Sequence, residues 1–408
     1  MVAIDSDSSD CNTRILAERP SMSDASHKHQ RTIPQSPTWT AVWWLIGIVT
    51  TSYPTIVSGF RHVQGGLGDT RLVNFTLEHG YRWLMGMPLA ESFWSPPIFF
   101  PATGVTAYTD LLLGVAPLYW VWRWLGAAPD TAYQFWMLVC WSLNYVAFYL
   151  LLRRSLATSA LASSAGAWFF AFASPRMAGV MHQQLVIQFF LVLVLVAIVE
   201  IARSQGRDTS TAHSRVWIAL LFAAGVMQLN TAVYPLLYFA LGLAAASAIV
   251  VFSRTGRSTM VHVVRTYPIT IATSAGVALL AAIPVIMHYR DSATAFGARP
   301  LPPHHLPKLA SWFLKGENNL FWGWLHDLPY FEWAHRSLHH NGVGIFAMVL
   351  CGVGLWHGRE RTFVPLMVAA VAVLFLITLR LPGDWSLWEP LRHMIPGGTS
   401  ARAIARVG

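Results

Sequence analysis

LVIQFFLVLVLVAIVEIA, Leu185 to Ala202, is an apolar run whose one ionisable residue, Glu200, sits near its far end. Such a run is long enough to cross the roughly 30 Å hydrocarbon core of a bilayer as a helix. Runs of the same kind lie at Thr38–Phe60, Thr131–Leu152, Ala157–Ser174, Val216–Leu229, Pro235–Phe252, Tyr267–Met287, Gly342–Trp356 and Phe363–Leu379. Backbone polar groups inside lipid must be paired within their own segment, so these runs are read as helices. The expectation is an all-α, polytopic membrane protein with about nine spans.

Composition agrees. Of 408 residues, 54% are hydrophobic and only 12% charged, and the mean hydropathy is +0.45. That is too few charges to solvate the surface of a soluble chain of this size. The net charge of +9 does not point to nucleic acid, because the arginines are spread over short connections rather than gathered on one patch. They sit at Arg153 and Arg154, at Arg203, Arg207 and Arg215, at Arg254, Arg257 and Arg265, and at Arg359 and Arg361. This is the distribution of cytoplasmic loops. It places the N-terminus inside, in a multi-pass protein of the inner (plasma) membrane. Residues 1–38 lack an apolar run and read as a disordered cytoplasmic tail; residues 39–408 form the membrane domain. Thr38–Phe60 has no small-residue cleavage site after it and reads as a retained anchor. Cys11, Cys140 and Cys351 have no paired or metal-ligand spacing.

With this sidedness, eleven of the fourteen carboxylates from Thr38 onward fall outside. Acid–base chemistry would therefore be external. Two long outer loops follow, 61–130 and 288–341. The first contains GGLGDTRLVNFTLEHGYRWLMGMPLAESFWSPPIFFPATG, Gly65–Gly104, with Asp69, Glu78, His79 and Glu91. Glycines before Asp69 let its backbone approach a bulky substrate, so Asp69 suits a general base or a divalent-metal ligand. It equally suits a helix N-cap, since a roughly helical apolar spacing starts just after it. ESFWSPPIFFPATG, Glu91–Gly104, is stiff and aromatic, suited to the bilayer interface or to the wall of a lipid-phosphate groove. Ala107–Leu125, AYTDLLLGVAPLYWVWRWL, reads as an interfacial helix with Asp110 and Arg123 turned to water; counting it as a span would put Arg153 and Arg154 outside.

The loop SPRMAGVMHQQL, Ser174–Leu185, carries Arg176, suited to a phosphate, and His182, suited to proton transfer. A structural role is the commoner one for a lone residue of either kind. The second long loop holds Glu317, His339 and His340 as candidate substrate contacts. EWAHRSLHH sets Glu332, His335 and His339 at helical spacing, but the HExxH order of zinc hydrolases is absent, as is a G-x-S-x-G nucleophile motif.

GLGDTRLVNFTLEHG with SPPIFFPATGV, then WFFAFASPRMAGVMHQQLV, then PLRHMIPGGTSARAIARVG together resemble the GT-C class of membrane glycosyltransferases. The resemblance implies inverting transfer of a sugar from a polyprenyl-phosphate-linked donor on the outer face. By position, Asp69 matches the first-loop aspartate assigned as base or metal-associated carboxylate, and Arg176 and His182 match the polar second outer loop. The absence of an Asp or Glu from that second loop leaves the use of a divalent metal open. The chain ends within an outer loop at Gly408, which reads as a truncation of the family pattern. A transporter or flippase of lipid-linked saccharides is the alternative, and the mostly apolar spans speak against it.

Overall fold

The computed structural model describes residues 37–400 apart from 174–175, 178–179, 206–210, 298–299, 318, 335–338, 359–360, 362 and 396. The N-terminal tail and the last eight residues lie outside the described residues. The rest is helical, with no strand among the described residues.

Each apolar run is a helix. They are α1 (Pro37–Val57), α4 (Pro129–Leu150), α5 (Ala160–Phe172), α7 (Phe189–Ser204), α8 (Thr211–Thr231), α9 (Val233–Phe252), α11 (Pro268–Phe296), α12 (Ile345–Gly358) and α13 (Phe363–Thr378). Five smaller helices lie between them: α2 (Asp69–Leu84), α3 (Ala116–Trp124), α6 (Gln183–Val186), α10 (Arg254–Thr266) and α14 (Trp388–Met394).

Six segments are long and apolar enough to cross a bilayer, with α6 and α7 counted as one. The expected nine are thus only partly matched. Helices α5 and α12 are shorter than a full span, and α13 meets the Pro382–Met394 segment at an 88° bend. Runs that look equivalent by hydropathy differ in how many residues the helix actually winds.

The largest core is built on α4. Tyr133, Trp136, Met137, Trp141 and Tyr145 are buried along it, against Ile48 of α1, Ala167 and Ala171 of α5, and Val192 and Val196 of α7. Polar pins set the register of α1. Tyr145 Oη donates to Thr40 O at 2.9 Å, and Trp44 Nε1 donates to Ser142 Oγ at 2.9 Å. Ser159 caps α5, its side chain accepting from Ala162 N at 3.2 Å.

The path from α6 into α7 is broken at Ile187 and Gln188, and side chains from other helices take up the freed backbone groups. Asn144 of α4 donates Nδ2 to Val186 O at 2.9 Å and accepts Gln188 N–H at 3.1 Å. Gln228 of α8 donates to Ile187 O at 3.3 Å. Irregular backbone at membrane depth is tolerated only when protein satisfies it in this way. Asn144→Leu should therefore cost about 1–2 kcal/mol, chiefly by orphaning Gln188 N–H, because Arg176 still holds Val186 O. A lowered midpoint of thermal unfolding in detergent would register it; an unchanged midpoint would mean that the break needs no brace.

Two readings of the connections change. Within Ala107–Leu125 only the nine residues of α3 form an α-helix, too short to cross a bilayer. Asp110 and Arg123 turn inward rather than to water. Asp110 accepts Val233 N–H at 3.0 Å, satisfying the start of α9, and Arg123 is paired with Glu78. In addition, the stretch from Arg254 to Arg265 is a helix, α10, rather than a plain connection.

Cysteines at Ala102 and Ala128, exposed on either side of the α3 segment, should both label from the outside of intact cells. Labelling of either from the cytoplasm alone would invert the topology around this helix.

Candidate active site

Asp69 opens α2, and the loop before it passes close over the segment that opens α6. Gly65 has φ +105°, and a Cβ there would come within 2.2 Å of Thr70 Oγ1 and 2.6 Å of Gln183 Nε2. At Gly66 a Cβ would fall 2.2 Å from Met181 Cε. At Gly65 the positive φ itself excludes most side chains, whereas the Met181 methyl opposite Gly66 can swing aside. The glycines expected to bring Asp69 near a substrate instead bring it near its own chain.

The result is a polar junction between residues 113 apart in sequence. His182 Nδ1 is hydrogen-bonded to Asp69 Oδ2, and Gln183 Nε2 donates to Thr70 Oγ1 at 2.7 Å. An ionised carboxylate only accepts, so the Nδ1 proton sits on the imidazole. The side chains of Asp69 and His182 are 42% and 27% exposed, so the pair is open to water. Asp69 Oδ1 and His182 Nε2 are engaged by no hydrogen bond among the described residues. Asp69 is not the N-cap: Gly68 holds that position, with no side-chain cap. The carboxylate occupies the first turn, where the helix dipole favours an anion.

Arg176 has a different setting from the one expected. Its Nη1 donates to Val186 O and its Nη2 to Gln188 Oε1, both at 2.8 Å. The guanidinium lies over the Phe170 ring at 4.1 Å. Burial pushes its pKa down to about 10, so it remains a cation at neutral pH. Its terminal nitrogens brace the α6–α7 break, six residues from His182. Arg71, exposed on the first turn of α2 two residues after Asp69, is the cation that sequence reasoning passed over. Its nearness to Asp69 was the available signal.

The remaining carboxylates of the first loop lie away from the Asp69–His182 junction. Glu78 receives Arg123 Nε at 2.7 Å, Arg123 Nη2 at 3.0 Å and Tyr119 Oη at 2.8 Å. Burial, then Glu78, push the Tyr119 hydroxyl well above its ordinary pKa. Glu91 accepts only Leu89 N–H at 3.2 Å. His79 is buried, with Nε2 3.0 Å from Ser92 O. It ties the Pro-rich segment to the C-terminal half of α2, away from Asp69. Trp94 of that segment stacks on His288 at 3.6 Å between centroids.

Glu317, His339 and His340 do not join Asp69. Glu317 is exposed. His339 is buried with Nδ1 3.2 Å from Ser311 Oγ, and the His340 ring packs edge-on against His326. Among the described residues no hydrogen bond or ion pair links the three to Asp69 or His182. Glu332 falls in a 3-10 helix, Pro329–Ala334, where i, i+3 spacing has a different geometry from the expected α-helical face; His335 lies outside the described residues. No cluster of three metal-ligating side chains occurs among the described residues.

A groove of about 440 Å³ runs between α8 and α11, lined by Ala219, Phe222, Val226, Ala278 and Ala281 among others. It is almost wholly apolar and does not include the Asp69 junction. Comparison with known proteins gives no match to any family model, curated protein or solved structure.

Proposed function

We propose that the chain is a membrane glycosyltransferase of the GT-C kind, moving a sugar from a polyprenyl-phosphate-linked donor to an acceptor at the outer membrane face. The observation that carries this reading is the meeting of Asp69 and His182, two residues of different loops, in a water-accessible junction. His182 Nδ1–H engages one carboxylate oxygen and fixes the rotamer. The other, Oδ1, remains to accept the acceptor hydroxyl's proton as that oxygen attacks the anomeric carbon. The lipid phosphate departs with the bonding pair, so it needs charge stabilisation more than a protein nucleophile. Arg71, exposed on the same first turn of α2, has a side chain long enough to reach round to that phosphate, and partly buried Arg176 would add its field from behind the α6 segment.

The isoprenoid chain of a lipid-linked donor would lie in the apolar groove between α8 and α11. Gln228, one residue beyond Met227 of that groove, touches Ile187, which places the groove's end near the Arg176 brace.

The test is a transfer assay on membranes containing the chain, supplied with radiolabelled polyprenyl-phosphate sugars. Label passing to an acceptor above control membranes supports the reading. Label that crosses the bilayer still lipid-linked, with no transfer, would make the chain a flippase instead.

A further inference from the structure

Helix α10 is the element that the proposed chemistry does not use. It joins α9 to α11, two helices each long enough to cross a bilayer, through single residues, Ser253 and Tyr267, at its ends. Its start is fixed by Ser253, whose side chain accepts Gly256 N–H at 3.3 Å. None of its thirteen residues is buried. It touches the bundle through Val263, which packs beside Ile201, Ile218 and Tyr267.

Its remaining apolar side chains are left about half uncovered by the described residues. Met260, Val261 and Val264 are 47%, 42% and 55% exposed, and Phe252 and Ile269 at the two joints are 89% and 77% exposed. Met260 and Val264 share one face at i, i+4, with Val261 beside them. Ser258 and His262 lie on the far side, while Arg254 and Arg265 stand next to Val261 at the edge of the apolar face. Arg257 falls between Val264 and Val261, within the apolar face, where a long side chain can lay its stem on hydrocarbon and lift its head to water.

The helix carries three arginines and no carboxylate. More arginines lie at the same end of the bundle: Arg154 stacks on Trp217, which packs against the same cluster as Val263, and Arg203 donates to Arg154 O at 2.8 Å. The described carboxylate at this end, Glu200, is already engaged by Ser155 and Arg203.

We infer that α10 is an interfacial helix that docks on anionic phospholipid, with Met260, Val261 and Val264 in the acyl boundary and Arg254, Arg257 and Arg265 on the phosphates. Two features select this occupant. A helix strung between two spans starts and ends where hydrocarbon meets water, so its uncovered apolar face meets the headgroup region first. Its charge is all of one sign, opposite to that of an anionic leaflet.

The test uses the full chain, with Cys11, Cys140 and Cys351 replaced, reconstituted into vesicles of phosphatidylcholine alone or with one quarter phosphatidylglycerol. Spin labels on Val264→Cys and on His262→Cys report contact with oxygen in the lipid and with a water-soluble nickel chelate. With phosphatidylglycerol, the label at 264 should turn lipid-facing while that at 262 stays wet. In Arg254→Gln/Arg257→Gln/Arg265→Gln this dependence should vanish, since three arginines at a charged surface are worth about a hundredfold in partitioning. A label on α11 that remains in lipid confirms that the triple variant is inserted. Identical depth at 264 in the two vesicle types, or a triple variant that behaves as wild type, overturns the anionic-lipid assignment. Labels at 262 and 264 that are equally wet in both would turn the helix away from the bilayer toward a soluble partner.

Discussion

Asp69→Asn should lower sugar transfer by about a hundred- to ten-thousand-fold, the range for loss of a general base, while insertion and folding are retained. The asparagine keeps the size of the side chain and an oxygen that accepts His182 Nδ1–H, so the contact between the α2 start and the α6 segment survives. What is lost is the negative charge and the basic Oδ1. Because Gly68 rather than Asp69 caps α2, no capping energy is forfeited. Glu91→Gln is the matched control, since it touches only the Leu89 backbone, and it should transfer at close to the wild-type rate. His182→Gln can still donate one hydrogen bond to Asp69, so about a tenfold loss is expected if the imidazole only positions the carboxylate. A loss as deep as that of Asp69→Asn would move the proton acceptor to His182 Nε2, with Asp69 as its orienting partner. Wild-type transfer by Asp69→Asn sinks the assignment of the site.

The helical segments and the loop carrying Asp69 were legible because hydropathy and glycine content are local properties. Where each helix would stop winding was less so: Ala157–Ser174 and Gly342–Trp356 look like spans, yet α5 and α12 are short. The meeting of Asp69 with His182 was invisible, since nothing in either loop encodes a partner 113 residues away. What could be read was two polar loops, one carrying Asp69 after a run of glycines and the other carrying Arg176 and His182. Arg176 shows the converse difficulty. An arginine in a polar loop reads as a phosphate ligand, and only the break at Ile187 and Gln188, a tertiary feature, reveals carbonyls in need of a donor. Helix α10 was passed over because three arginines in thirteen residues depress its hydropathy; its pattern is periodic rather than apolar.

Arg123→Ala should be among the most destabilising single changes in the first loop, costing about 2–3 kcal/mol, below the full range for a buried pair because both partners keep some exposure. The side chains of Arg123 and Glu78 are only 18% and 20% exposed. Arg123 serves Glu78 through two nitrogens, holds Ala127 O through a third and lies 5.2 Å from the Tyr81 ring centroid. Removing it leaves the Glu78 carboxylate with Tyr119 Oη alone, in a place where water reaches it poorly. The pair also fastens α2 to α3, and α2 carries Asp69 at its other end, so the variant should lose transfer activity along with its fold. A charge that has lost its partner is the dominant cost. Glu78→Gln/Arg123→Met, which removes both charges and keeps much of the volume, should therefore recover most of the thermal stability in detergent and a substantial part of the activity. Should the double variant melt as low as Arg123→Ala, the hydrogen-bond geometry rather than the unpaired charge would be what fastens the two helices. An Arg123→Ala chain that melts like wild type would mean that the loop is held elsewhere, with the buried apolar wall of Leu77, Tyr81 and Tyr119 as the next place to look.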